Sequence, residues 1–417
     1  MARTWALVIT LCMLVSCITE EIPGCVFLDI NTNTFNCTSG NITSFPTREQ
    51  IPYGVSAIDL SHNKLVHIPH INITAPQALK HLNLSRNHIS SVSQAAFTDL
   101  TALETLDLSY NLLRGSDLIV KQYRLVMSEF HSLRVLILRG NALGMIERLT
   151  FREFGYDRLE ELDLSFCAIS TLQHLALENL MRLRVLDLSH NNLATFDTAA
   201  FSGVTHLHSL DLSYNKLTEI TDMHLTLTSS LHFINLDNNL ITAIRDNAFS
   251  GVSGLERLGL RSNRLHRITQ LSLPTDMHRA PDLDNNPWSC DCHTKWIISP
   301  DSVLRTLNAS IICTYPSRLR GLDIFDIDEA DLACPQSLLT ILTTLLITLA
   351  IIIIFGGLFM LLYHKRALLK CVRGTGVKGR YVAVYSHDRE DAGVTLEMDP
   401  TFDKSNLEKE ADSEVYA

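Results

Sequence analysis

Between Val55 and Leu265 one motif recurs nine times, and nothing else in the chain constrains its folding as strongly. Each copy sets an apolar residue, two variable residues, an apolar residue, one variable residue and an apolar residue ahead of an Asn, with a further apolar residue two positions after it. The second copy reads Leu79, Leu82, Leu84, Asn87, Ile89, and the third reads Leu103, Leu106, Leu108, Asn111, Leu113. The Asn position is filled by Asn63, Asn87, Asn111, Asn141, Cys167, Asn191, Asn215, Asn239 and Asn263. Most steps are 24 residues; Asn111 to Asn141 is six longer and Asn141 to Cys167 two longer. A fixed period of this size marks a solenoid, in which a unit buries its apolar face only against its neighbours.

The alternating part of each copy suits a short strand with one buried face. Stacked strands lie roughly 4.8 Å apart and turn the inward leucines into one core. Where the chain turns inward, an orphaned buried amide costs about 1–3 kcal/mol. An Asn side chain both donates and accepts, so a column of them meets that demand, and Cys167 fits the same slot as a small, weakly polar side chain. Six residues upstream of each copy lies another apolar position, at Phe97, Met127, Leu177, Phe201, Leu225 and Phe249, predicted to form a spine on the convex side.

Copy by copy, the motif resembles the leucine-rich repeat, L-x-x-L-x-L-x-x-N/C-x-L. The resemblance implies an α/β solenoid, a horseshoe with a parallel concave sheet, over residues 55–283, the last repeat being degenerate from Leu271 to Leu283. Residues 22–54, with Cys25 and Cys37, resemble an N-terminal repeat cap closed by a Cys25–Cys37 bridge. Residues 284–334 contain Asn286-Pro287-Trp288-Ser289-Cys290-Asp291-Cys292, then Trp296, Cys313 and Cys334, and resemble the C-terminal cap of cell-surface receptors. Four cysteines allow three pairings, and a C-x-C pair also suits zinc. The family resemblance implies Cys290–Cys313 and Cys292–Cys334.

The flanks set the compartment. Residues 1–19 carry Arg3, an apolar run from Trp5 to Val15 and small residues, the pattern of a secretory signal peptide. From Ser337 to Tyr363 no residue is charged, a length that crosses a bilayer with some tilt. Lys365, Arg366, Lys370, Arg373, Lys378 and Arg380 follow without an acidic residue among them, which predicts a single-pass type I protein of the plasma membrane. Sequons at Asn36, Asn41, Asn72, Asn83 and Asn308 all fall on the predicted outer side. Asn41, Asn72, Asn83 and Asn308 are the glycosylation candidates; the middle residue of the Asn36 sequon is the bridging Cys37.

The tail, residues 364–417, is basic and then acidic: six basic residues up to Arg380, then ten acids against three bases. The acidic part lacks apolar periodicity, which predicts disorder. Cys371 is a candidate for palmitoylation. Tyr381 to Val384 fits the endocytic pattern Y-x-x-Φ, and Tyr381, Tyr385 and Tyr416 are candidate phosphorylation and adaptor-docking sites. Tyr381 to Asp388 also resembles the opening strand of the TIR domain of Toll-like receptors, on that stretch alone. Gly374 to Gly379 matches G-x-G-x-x-G without the strand and helix a phosphate loop needs, and is read as a hinge.

A net charge of −10 over 417 residues opposes general nucleic-acid binding. The sequence contains no G-x-S-x-G, H-E-x-x-H or kinase signature, and no cofactor or metal is expected. An open curved sheet suits recognition of a protein partner better than catalysis. Its central column reads Asp59, Asn83, Asp107, Ile137, Asp163, Asp187, Asp211, Asn235 and Gly259, an acidic stripe complementary to a basic partner. In the more variable column before the Asn, Tyr110, Phe166, His190 and Tyr214 are the contact candidates, because aromatic side chains dominate hot spots. Three roles fit: an adhesion or recognition receptor, a Toll-related receptor or co-receptor without a TIR domain, or an accessory subunit of another membrane protein.

Overall fold

The computed structural model describes residues 22 and 25–28 and then 33–332, save 94–95, 116–131, 149, 152–157, 222–229, 253 and 275–276, together with 338–374, 381–385 and 394–398. The predicted leader, the insertion before the fourth repeat, Met127, Leu225, Cys334 and Tyr416 lie outside the described residues. Two compact units divide at Cys334 and Pro335.

The first unit is the solenoid. Its main sheet has eleven strands in chain order. Val26–Leu28 and Thr34–Asn36 pair antiparallel, and every later strand adds parallel, from Ala57–Asp59 to Arg257–Gly259. The register keeps the middle leucines in one row: Ile58, Leu82, Leu106, Leu136, Leu162, Leu186, Leu210, Ile234 and Leu258 face one another and are all buried. Full burial of each contributes roughly 1.5–3 kcal/mol. Phe35, opposite Ile58, extends that row into the N-terminal cap, so the cap strand is half a repeat.

On the convex side the described connections are 3₁₀ turns (Pro76–Ala78, Thr198–Phe201, Gln270–Ser272) and paired two-residue strands such as His67–Ile68 with Ser91–Val92. Among the described residues of the repeats only Gly115, where the insertion before the fourth repeat begins, is α-helical, because a 24-residue step spends its length on two turns and a strand. Phe97, Leu177, Phe201 and Phe249 are buried behind them as the spine predicts, and Phe151, which the sequence spacing passed over, joins them.

The asparagine column does what the sequence requires of it. Asn87 donates through Nδ2 to Leu60 O of the preceding repeat and to Leu84 O of its own, each at 3.0 Å. Its Oδ1 accepts Leu65 N–H at 3.0 Å. The same bonds recur at Asn111, Asn191, Asn215, Asn239 and Asn263. Asn286, outside the nine counted copies, is a tenth rung: it accepts Leu265 N–H and donates to Leu260 O. At the exceptional slot the Cys167 thiol lies 3.2 Å from Leu138 O, and burial pushes its pKa up to about 12.

Both ends are closed by cysteines. Cys25–Cys37 and Cys290–Cys313 are bonded as the resemblance implied. Cys292 is also disulfide-bonded, which removes the thiolate that zinc would need. In the C-terminal cap Trp288 is fully buried and donates to Leu283 O, while Trp296 donates to Ile268 O in the last repeat. Arg267 reaches Asp291 at 2.6 Å. Burial raises that carboxyl, yet the His293 N–H, Arg267 and Ser289 together hold it below the usual range.

The second unit begins with a 37-residue helix, Leu338–Gly374, containing an apolar span at Ile341–Arg366 long enough to cross a membrane. Cys371 falls near its end. The tail departs from the expected disorder: Tyr381–Tyr385 and Val394–Met398 form an antiparallel pair, Tyr381 opposite Met398 and Tyr385 opposite Val394. Net charge averaged over the tail hides two short runs rich in β-branched and aromatic residues, which favour strands.

Two outcomes follow for the ladder. Asn191→Leu removes the acceptor for both Cys167 N–H and Ile169 N–H and is expected to cost about 3 kcal/mol or more, whereas Cys167→Asn restores a rung and should raise stability by about 1 kcal/mol; resistance to thermolysin of the solubilised full chain reads both, and a destabilised Cys167→Asn would contradict the ladder. Because only the thiolate reacts, Cys167 should resist maleimide in the native protein under mildly alkaline conditions and label fully after denaturation, as mass spectrometry would show.

Candidate functional site

The site is the concave sheet and the rim along the C-terminal ends of its strands. Every described repeat turns out of its strand through a residue in the left-handed region: His62, Arg86, Tyr110, Gly140, Phe166, His190, Tyr214, Asn238 and Ser262 have φ between 52° and 71°. For a non-glycine residue that conformation is costly, and the Asn rung that follows holds it. The same twist at each turn sets these side chains one above another.

They form a stacked row. Phe166 lies 4.0 Å from His190, centroid to centroid, and His190 lies 4.1 Å from Tyr214, with planes 12° and 8° apart. Arg139 sits 4.7 Å over the other face of Phe166 and donates through Nε to Tyr110 Oη at 3.0 Å. Arg86 caps Tyr110 at 4.5 Å. Gly140 makes the crossing possible, since a Cβ there would fall 2.5 Å from the Tyr110 ring. All four contact candidates therefore lie in one row, and Arg139, which the sequence reading missed, joins its halves. The available signal was Arg139 standing where most repeats have Ser (Ser61, Ser85, Ser109, Ser165).

The acidic column is part of the fold. Asp59, Asp107, Asp163, Asp187 and Asp211 each accept, through Oδ1 at 2.8 Å, the N–H of the Ser two residues on. Asn83 accepts Ser85 N–H in the same way. Asp163, Asp187 and Asp211 are opposite one another on adjacent strands. Burial, with the neighbouring Asp163 and Asp211 charges, raises the Asp187 pKa although Ser189 opposes it. Arg139 comes only within 4.0 Å of Asp163. Ile137 interrupts the column, and with Val135 and the exposed Val185 it floors a shallow hollow walled by Glu161, Asp163 and Asp187.

Of the sequons, Asn41, Asn72 and Asn308 are exposed and Asn83 is half-buried on its concave strand. Asn36 lies opposite Asp59 and binds Thr38 N–H, holding the position of the acidic column in the cap.

With this geometry in hand, the comparisons are direct. The sequence profile of the family described as "Leucine rich repeat" matches residues 54–113, 157–217 and 229–273. Those stretches of the chain are leucine-rich repeats. Human trophoblast glycoprotein is 36% identical over 115 residues, 25% of this chain and 26% of that one. Tsukushi-A of Xenopus laevis is 30% identical over 185 residues, 32% of this chain and 53% of that one. The chain thus spans about a quarter of the length of the first of these curated relatives and about half of the second. Among solved structures, a chain of an octameric complex of Latrophilin 3, Unc5D and the leucine-rich-repeat part of FLRT2 superposes with a TM-score of 0.61 at 25% identity, covering 75% of this chain and all of that one. A chain of the mouse RP105/MD-1 complex gives 0.55 at 23% identity over 73% of this chain and 54% of that one, a likeness of fold alone.

The raised Asp187 carboxyl fixes the sign of one pH effect in this solenoid. A group with a raised folded pKa stabilises the fold below its unfolded pKa and loses that contribution as pH rises through the folded value. Asp187→Asn keeps the acceptor for Ser189 N–H and removes the charge, so its melting temperature should exceed that of the wild type near neutral pH. The difference should shrink as pH falls through the ordinary aspartate range; a gap that widened on acidification would contradict the assignment.

Proposed function

We propose that the protein is a cell-surface recognition or adhesion receptor of single-pass type I topology, without enzymatic activity. Its repeats face outward and bind a protein partner through the concave sheet and the aromatic rim. The span at Ile341–Arg366 anchors it, and the basic residues after the span hold the tail in the cytoplasm. Tyr381 and Tyr385, at the two ends of one tail strand, serve sorting or adaptor docking.

The observation that carries this reading is the stacked row on the rim. Tyr110, Phe166 and Tyr214 remain between about a third and half exposed, yet each is held by a neighbour. Rigid aromatic side chains lose little entropy on binding and make good anchors. Partner-bound structures of similar solenoids, in the FLRT2 and RP105/MD-1 complexes, support a role in protein recognition.

A panel of purified extracellular proteins applied to cells displaying the full chain tests the binding role. Tyr110→Ala/Tyr214→Ala should weaken the best partner about tenfold or more at unchanged surface level, and unchanged affinity would remove the rim from the site. Trypsin added to intact cells should destroy an epitope in the repeats and spare one in the tail; the reverse would overturn the topology.

A further inference from the structure

The hollow at the centre of the concave face has an amphipathic lining. Its floor is Val135, Ile137 and Val185, and Val185 is 38% exposed although it lies on a central strand. Its walls carry the carboxylates of Glu161, Asp163 and Asp187. Among the described residues no Lys or Arg comes within ion-pair distance of Glu161 or Asp187; Arg134 and Arg139 act on them only at longer range, and Arg139 reaches Asp163 at 4.0 Å. The acids just before the strands are paired instead, Glu104 with Lys80 at 2.9 Å and Glu160 with Arg134 at 2.8 Å. Along the acidic column the hollow is where carboxylates without an ion-pair partner border exposed aliphatic surface.

We infer that this hollow receives a lysine or arginine side chain of the protein partner, its methylene stem lying on Val135, Ile137 and Val185 and its cationic head between Glu161 and Asp187. The inference rests on the concave face being the binding surface. Long basic side chains bury their stems on apolar surface while the head keeps polar company, and an acidic or purely aliphatic side chain would match only one half of the lining. The stacked row from Tyr110 to Tyr214 borders the same strands and supplies a stiff wall against which the partner's chain rests. Ile137 replaces the repeat's usual Asp or Asn where the hollow needs a floor.

The test pans a phage-displayed library of random peptides on cells displaying the full chain, then measures the selected phage on variants of equal surface level. Selected sequences should carry Lys or Arg beside apolar residues. Their binding should fall roughly tenfold or more on Asp187→Asn or Glu161→Gln, weaken on Val185→Glu, and vanish when the peptide's basic residue becomes norleucine. A second arm places a glycan on the same sheet two strands away by Phe233→Asn/Asn235→Thr. Loss of binding with the glycan but not with the charge variants would refute the cationic occupant and leave the concave reading standing. Indifference to both would refute the concave reading itself. Selected sequences without a basic residue, or no enrichment of basic sequences over the starting library, would overturn the inference.

Discussion

A backbone that turns through the interior at every repeat must find partners for its amides, and one side chain per repeat supplies them. Each Asn joins two carbonyls and an N–H drawn from two adjacent repeats, as Asn215 does with Leu188 O, Leu212 O and Leu193 N–H. The bonds therefore fix the register between repeats as well as the turn within one. Without that register the leucine row would not close, and the rim residues would not lie one above another. Cys167 shows the tolerance of the device: a buried thiol takes over the donor role toward Leu138 O and Ser165 O, and Asn191 in the next repeat accepts Cys167 N–H.

Function is written at the positions the ladder leaves free. The left-handed residue before each rung has its backbone set by the fold and its side chain set by nothing, so the chain places there His62, Arg86, Tyr110, Phe166, His190 and Tyr214. On the sheet the Asp column is committed to the Ser N–H groups, a need for an acceptor that Asn83 meets without charge. A partner adapted to this face meets an acidic stripe built mostly from those acceptors. Two departures in one repeat, Ile137 in the Asp column and Arg139 in the Ser column, build the hollow and the joint of the aromatic row.

Much of this was legible from residues alone, for a physical reason. Buried leucines and buried amides have few solutions at a 24-residue period, so the sheet and the ladder could be read directly, while the pairing in the C-terminal cap was what the family resemblance implied. The tenth rung was obscured because Asn286 precedes Pro287 and lacks the upstream leucines of a full copy. The stacking of Phe166, His190 and Tyr214 was legible only as a shared column; that their planes lie face to face depends on the left-handed turn, which the residue types conceal. The tail strands were missed because a charge average smooths over Tyr381–Tyr385 and Val394–Met398.

Hydrogen–deuterium exchange of the full chain in detergent micelles tests the ladder most directly. The amides of Leu65, Ile89, Leu193, Leu217 and Ile241, each bonded to the Asn Oδ1 of the following repeat, should exchange as slowly as those of the concave strands and together with them, because both open only when the stack unfolds. Rapid exchange at these five amides while the strands stay protected would show that the turns are not held by the asparagines, and the register of the face would need another cause.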